Sequence, residues 1–361
     1  MPLTGWAVGK ASGAARSQET TSSRATIQTL GGGLVASGLS RSASGVAGFL
    51  HSEQMPALSF SRIVLVAATA SLGLSAGVVA CTPTRDAGSA ATTAGTLVDD
   101  FGDPTRIGAP RTRIVSLNPS TTEVLFAIGA GGRVVGRTTW DLWPDSARLV
   151  PDLGDALRPN IEAVLAARPD LVLLYASEDN RAAAHAFRRA GIATLTLRND
   201  RIADFARTTE LIARASGDTV RARVVIDSVA ATLARVRTAM ATAPRVRVFW
   251  KVYDRPLLTI GRGSFMSELV AIAGGENLFD DLAAPSAAVT LEDVARRDPD
   301  LVLVAPGGEA RLRASASWQA VRAVREGHLA LVDTARVGRP GVRLGEAAVS
   351  LARLLHPGSA P

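Results

Sequence analysis

Lysine is nearly missing: of 40 basic residues in a 361-residue chain only Lys10 and Lys251 are lysine, and the other 38 are arginines scattered without a dense cluster. The formal charge of +7 invites a nucleic-acid reading, but aromatics make up only 4% of the chain and no basic face with interleaved rings can be assembled. A nucleic-acid partner is therefore not expected. One cysteine, Cys81, cannot form an internal disulfide. Four isolated histidines, His51, His185, His328 and His356, give no zinc-ligand spacing, so neither a metal site nor a resident cofactor is expected. The chain also lacks a phosphate-cradling Gly-x-x-x-x-Gly-Lys-[Ser/Thr] loop, a Gly-x-Gly-x-x-Gly turn after a strand, a Gly-x-Ser-x-Gly elbow and a His-Glu-x-x-His helix. No nucleophile and base stand out as a pair, and the chain reads as a non-enzyme.

What the chain does have is a repeat. Ile161-Glu-Ala-Val-Leu-Ala-Ala-Arg-Pro-Asp-Leu-Val-Leu-Leu174 returns 130 residues later as Leu291-Glu-Asp-Val-Ala-Arg-Arg-Asp-Pro-Asp-Leu-Val-Leu-Val304, with seven of fourteen positions identical. Each copy opens on a capping residue, Asn160 or Thr290, carries a carboxylate in its first turn and stops at Pro-Asp. The apolar run that follows each stop reads as a strand buried on both faces, because proline bars the residue before it from helical geometry. A second echo pairs Thr122–Ala130 with Ser267–Gly275, two short helices closed by glycine. The expected fold is α/β, with two similar lobes, each a small and mainly parallel sheet flanked by helices.

In chain order, residues 1–54 are rich in Gly, Ser, Ala and Thr, and translation is expected to begin at Met55, leaving that segment untranslated or disordered. Arg62 precedes an apolar run, Ile63 to Ala80, diluted with Ser, Thr and Gly and followed directly by Cys81. That pattern resembles a bacterial lipoprotein signal, 55–80, with Cys81 as the lipidated residue, more than it resembles a membrane-spanning helix. Residues 81–110 then hold a tether and an opening hairpin, and 111–217 a first lobe with strands at 113–117, 133–136, 171–175 and 193–197. Ser120 and Glu123 have capping-box spacing for the helix after Asn118-Pro119. Asp218 is the expected cap of a long helix to Ala241, about 36 Å at ~1.5 Å per residue, on whose apolar stripe Val220 and Val224 are included. This linker, 218–243, joins the lobes rigidly. The second lobe, 244–357, is expected to contain a strand at 246–250, a connection from Tyr253 to Ser264, a helix at 265–273, the second repeat copy, a helix at 314–326, a strand at 328–332 and a closing helix.

These features together with Arg113-Ile-Val-Ser-Leu-Asn-Pro-Ser-Thr-Thr-Glu123, Gly274-Gly-Glu-Asn-Leu-Phe279 and Arg339-Pro-Gly-Val-Arg343 resemble the periplasmic binding proteins that deliver vitamin B12, iron-siderophores and haem to ABC importers. The resemblance runs from about Thr96 to Pro357 and implies a lipid-anchored, monomeric protein of the periplasm or cell surface. Its partners would be a metal-chelate ligand, the membrane through the lipid on Cys81, and a permease dimer with its ATPase. A cobalamin or related corrinoid is the first ligand expected, an iron-siderophore the next.

By position, the resemblance implies ligand contacts from Asn118, Pro119, Ser120, Trp140, Trp143, Arg158, Tyr175, Trp250, Tyr253, Arg262 and Arg339. Trp140 and Trp143 sit in a polar loop where large rings seldom lie without a surface to cover. Trp250, at a strand end, fits core or ligand equally. The resemblance further implies that Glu162 and Glu292, at matching positions of the repeat, dock the permease; helix-dipole compensation is the alternative. Ala156 and Ser286 stand where relatives resembling the B12 binder carry aromatics, and Asp141-Leu142-Trp143 where many members have Cys-Asp-Tyr. A signalling or adhesive lipoprotein on the same fold is the rival reading.

Overall fold

The computed structural model describes residues 95–358. The Met55 start, the apolar run, Cys81 and the tether lie outside the described residues.

An antiparallel hairpin opens the described chain, β1 (Gly95–Val98) with β2 (Pro104–Ile107). The first lobe follows: β3 (Ile114–Leu117), α1 (Pro119–Ala127), β4 (Val134–Gly136), α2 (Ile161–Ala166), β5 (Leu171–Tyr175), α3 (Glu178–Arg189), β6 (Ala193–Leu197) and α4 (Asp204–Ser216). Its sheet has the order β4-β3-β5-β6 and every pairing is parallel. Branched apolar residues fill both faces, as a parallel sheet between helices requires. Val115, Leu117, Val172 and Leu174 pack with Val164 and Phe187 on one face, while Ile114, Leu171 and Leu173 point to the other.

Next comes α5 (Thr219–Ala239), 21 residues and so roughly 31 Å long. Its buried stripe is Ala222, Ile226, Val229, Leu233 and Val236. Val220 and Val224, expected on that stripe, are 80% and 65% exposed, a correction that follows from the face α5 turns to α4 and its neighbours. Asp218 is likewise not a side-chain cap: its carboxylate pairs with Arg133 across the lobe.

The second lobe contains β7 (Val246–Asp254), β8 (Leu257–Ile260), α6 (Phe265–Ile272), β9 (Gly275–Asn277), β10 (Ser286–Ala288), α7 (Leu291–Arg297), β11 (Leu301–Val304), α8 (Gly308–Ala314), α9 (Arg322–Arg325), β12 (Leu329–Leu331), α10 (Thr334–Val337) and α11 (Leu344–Leu355). Four of its strands pair in parallel in the order β9-β7-β11-β12, the plan of the first sheet. Added to it are β8 and β10, both antiparallel. Thus the expected connection 253–264 begins as a hairpin: β7 runs on past Trp250 and returns through Arg255-Pro256. The helix expected at 314–326 is also broken, into the end of α8, one tight turn at Ser317–Ala320 and α9.

Phe249, Phe279, Val302 and Val304 form the core on one face of the second sheet. The other face of each sheet drains into one shared core, in which Ile114 and Leu173 of the first lobe and Val248 and Leu303 of the second join through α5 and α11. Each fully buried side chain of this kind contributes on the order of 2 kcal/mol, so the lobes are welded along the linker helix. No helix among the described residues is long and apolar enough to cross a membrane.

Candidate functional site

The C-terminal ends of parallel strands from both sheets open on one cavity of about 510 Å³, the position where open α/β sheets bind ligands and a volume suited to a small molecule. From the first lobe come Leu117, Asn118, Pro119 and Ser120 after β3, Trp140, Ala156 and Leu157 from the long loop, Tyr175 and Asn180 after β5, and Asn199 and Asp200 after β6. The second lobe supplies Trp250, Lys251 and Val252 of β7, Met266 of α6, Ala305 and Pro306 after β11, and the segment Thr334 to Pro340, including Val337 and Arg339.

Seven of the eleven residues implied as ligand contacts line this cavity: Asn118, Pro119, Ser120, Trp140, Tyr175, Trp250 and Arg339. The other four lie off its wall. Trp143, half-buried, lies under the Arg343 guanidinium, 4.8 Å from its ring centre, so one ring face is taken by the protein itself. Arg158 and Arg262 are exposed, and Tyr253 is 41% exposed on the overhanging hairpin. Residues the sequence did not suggest are Asn180, Asn199, Asp200, Lys251 and Met266. One signal was available for Lys251: it is one of two lysines in an arginine-rich chain.

Local chemistry fixes these groups. Asn118 is the N-cap of α1, its Oδ1 accepting from the Ser120 N–H at 3.0 Å, with Pro119 at the first helical position. This replaces the expected Ser120–Glu123 capping box, since Glu123 is drawn away to arginines of the other lobe. Tyr175 donates its hydroxyl to Asp200, and burial, aided by that bond, pushes its phenol well above the ordinary range. The cavity thus keeps a neutral phenol. Lys251 is 6% exposed and paired with Asp254. Asn180 donates to the Tyr175 carbonyl at 3.0 Å, while its Oδ1 and that of Asn199 are buried without a partner among the described residues.

Behind the wall, Asp141 is fully buried and accepts from the hydroxyls of Thr122 and Thr138, yet burial still pushes its carboxyl above the usual range. Trp140, Trp250, Leu157, Val252 and Met266 present apolar and aromatic surface with few polar groups among them. Such a surface can hold a large, partly apolar molecule by stacking and a few directed hydrogen bonds.

Glu162 and Glu292 lie apart from the cavity, exposed in the first turns of α2 and α7, and neither belongs to an ion pair among the described residues. Asp293 does, with Arg296.

A family model described as periplasmic binding protein matches residues 114–335. Among curated proteins, the chain is 30% identical over 254 residues to an uncharacterized ABC transporter substrate-binding lipoprotein, YvrC, of Bacillus subtilis (strain 168), which covers 68% of this chain and 80% of that one. It is 23% identical over 244 residues to a vitamin B12-binding protein of Vibrio parahaemolyticus serotype O3:K6, covering 67% of this chain and 89% of that one. Among solved structures, the periplasmic vitamin B12 binding protein BtuF of Vibrio cholerae matches with a TM-score of 0.62 at 23% identity, over 68% of this chain and 97% of that one. The periplasmic heme-binding protein RhuT from Roseiflexus sp. RS-1, in apo form, matches with a TM-score of 0.62 at 24% identity, over 69% and 98%. At these identities the structural likeness carries the fold.

Proposed function

The chain belongs to the periplasmic binding protein family, and from that premise we propose that it is the substrate-binding lipoprotein of an ABC importer, capturing a metal chelate between its lobes. The observation that carries this reading is the cavity itself: strand ends of both sheets converge on it, two tryptophans face it, and its lining is mainly apolar with a few buried polar groups. A corrinoid such as cobalamin is the cargo of first choice, in keeping with the relatives named for vitamin B12 binding, and a ferric siderophore the next. The chelate would bring its own metal. The chain's part is to stack on the ligand's body through Trp140 and Trp250 and to satisfy its polar rim through Asn199 and Arg339.

Delivery requires a surface that the permease can read. Glu162 and Glu292 supply one exposed carboxylate per lobe at equivalent positions, neither in an ion pair among the described residues, which suits a two-subunit basic partner. Lipidation at Cys81 would hold the protein at the membrane where that partner lies. Relatives named as transport binding proteins support a receptor over an enzyme.

Native mass spectrometry of protein isolated from cells grown with a corrinoid, a ferric siderophore or haem tests the reading. A retained mass equal to one chelate supports it. Protein that emerges without added mass from all three cultures, and takes up none when mixed with them, overturns it.

A further inference from the structure

Glu123 is the most deeply buried carboxylate whose partners all come from the opposite lobe. Its side chain is 1% exposed, and its Oε1 accepts from Arg343 Nη2 at 3.1 Å and from Arg339 Nη1 at 3.5 Å. These arginines lie 216 and 220 residues further along the chain, in the loop between α10 and α11. Gly341 lies between them, and a Cβ there would stand 2.9 Å from Glu123 Oε2. The Arg-Pro-Gly-Val-Arg sequence therefore has a physical reason: two arginines straddle a residue small enough to let the loop settle on the carboxylate.

The two arginines are used differently. Arg343 also donates to the Ala335 carbonyl at 2.6 Å and stacks on Trp143, and it takes no part in the cavity lining. Arg339 donates to the Trp140 carbonyl at 2.7 Å and reaches Glu123 only loosely, and its side chain forms part of the cavity wall. The two guanidinium groups share the Glu123 carboxylate, the buried Asp141 is the other acid near Arg339, and of the two arginines only Arg339 lines the cavity. The other charged groups of the lining are engaged: Asp200 with Tyr175, Lys251 with Asp254. Glu123 Oε2, meanwhile, is buried with no partner among the described residues. A buried carboxylate left half-satisfied is a poor device for stability alone, where an apolar side chain would serve as well or better.

We propose that Glu123 is a positioning residue: together with the Trp140 carbonyl it holds the Arg339 guanidinium at the cavity wall, where the open donors of that fork select chelates carrying a carboxylate or phosphodiester beside their apolar body. The inference rests on the receptor reading above. It adds which member of the chelate class is retained, and by which group. Arginine suits the task because its planar fork meets an oxyanion in bidentate geometry and stays charged.

The test is a comparison of matched probes by fluorescence titration at low salt: cyanocobalamin against dicyanocobinamide, which lacks the phosphodiester, and haemin against its dimethyl ester. The parent should prefer the oxyanion-bearing member of at least one pair by about tenfold or more, the size of one good charge-assisted contact. Arg339→Gln should bring that ratio close to one. Glu123→Gln should lower it by about threefold or more while leaving the oxyanion-free probe bound as in the parent. A ratio unchanged in both variants, or a Glu123→Gln protein that loses both members of a pair equally, overturns the proposal and leaves the receptor reading intact. Failure of the parent to bind any of the four probes, or to prefer the oxyanion-bearing member of either pair, overturns this inference, while the receptor reading stands or falls by the three-chelate mass measurement. Should Glu123→Gln not fold, Arg339→Gln, which leaves Glu123 paired with Arg343, decides the matter by the same ratio.

Discussion

In the first lobe Arg113 donates to the carbonyls of Arg168 and Ala167 at 2.9 and 2.6 Å; in the second, Arg247 donates to those of Asp298 and Arg297 at the same two distances. The Asp170 N–H bonds the Arg113 carbonyl, and the Asp300 N–H bonds that of Arg247, each at 2.9 Å. Arg168 and Asp298, the two non-glycine residues with positive φ among those described, occupy the same place in the repeat at 48° and 49°. Duplication has thus kept the scaffold down to individual hydrogen bonds at the end where the helix hands over to the strand. At the opposite, C-terminal ends of the strands little has been kept. There β3 stops at the Asn118 cap, whereas β7 continues into a hairpin that brings Lys251 and Val252 to the cavity. The lobes agree where they must fold and differ where they must recognise a ligand.

That comparison makes the two carboxylates proposed for docking the first thing to break. If Glu162 and Glu292 act as an equivalent pair, each alanine substitution alone should slow uptake by a similar factor, and the double variant by about tenfold to thirtyfold, as expected for two contacts of ~1 kcal/mol each. Chelate affinity of the purified double variant should stay unchanged. Parental uptake by that variant, in cells making normal amounts of it, would leave these acids with helix-dipole compensation alone.

A smaller effect separates the two left-handed residues. Arg168 is strained at φ 48° and its side chain has no ion pair among the described residues, so Arg168→Gly should stabilise the protein by about 0.5 kcal/mol in urea unfolding. Asp298 has the same backbone geometry, but its carboxylate accepts from Arg322 Nε at 2.9 Å. Asp298→Gly should therefore bring no gain. Equal gains at both sites would mean that the Asp298–Arg322 contact contributes nothing.

The helix-turn-strand copies could be read from the chain because half their positions are identical and because Pro-Asp marks the same break twice. Trp140 and Trp250 were recognisable as ligand candidates for a comparable reason, since a ring at a strand end or in a polar loop stands out locally. Glu123 could not be read correctly. Its spacing from Ser120 fits a capping box, and the competing partners lie 216 and 220 residues away, where no local pattern points. The β7–β8 hairpin was missed because Arg255-Pro256 turns it without the Asn-Gly or Asp-Gly pair that marks a tight turn. Trp143, expected among the ligand contacts, lies off the cavity wall with Arg343 over its ring, a partner 200 residues away that no local pattern indicates.

Acid titration should set the lobes against each other most subtly. Burial raises the folded-state pKa of Asp141 above its ordinary 3.8, so its folded state binds the proton more tightly and stability is lost as pH rises through the raised value. Hydrogen bonding from Arg322 lowers that of Asp298 below 3.8, so its contribution is present above 3.8 and lost as pH falls through the lowered value. Asp141→Asn should flatten the stability profile on the upper side, and Asp298→Asn only the acid limb. Urea midpoints measured across that range check both, and a flattening of the same limb by both variants would refute the assignment.

The central claim, that the strand ends of the two lobes form one chelate site, is tested most directly by tryptophan fluorescence. Titration of the parent with cyanocobalamin, a ferric siderophore and haem should give saturable quenching by at least one of them at one ligand per chain. Trp140→Ala should weaken that ligand by about 2 kcal/mol, roughly thirtyfold, as truncation of a central aromatic contact does. Quenching by none of the three, or affinities in Trp140→Ala equal to those of the parent, would contradict the account.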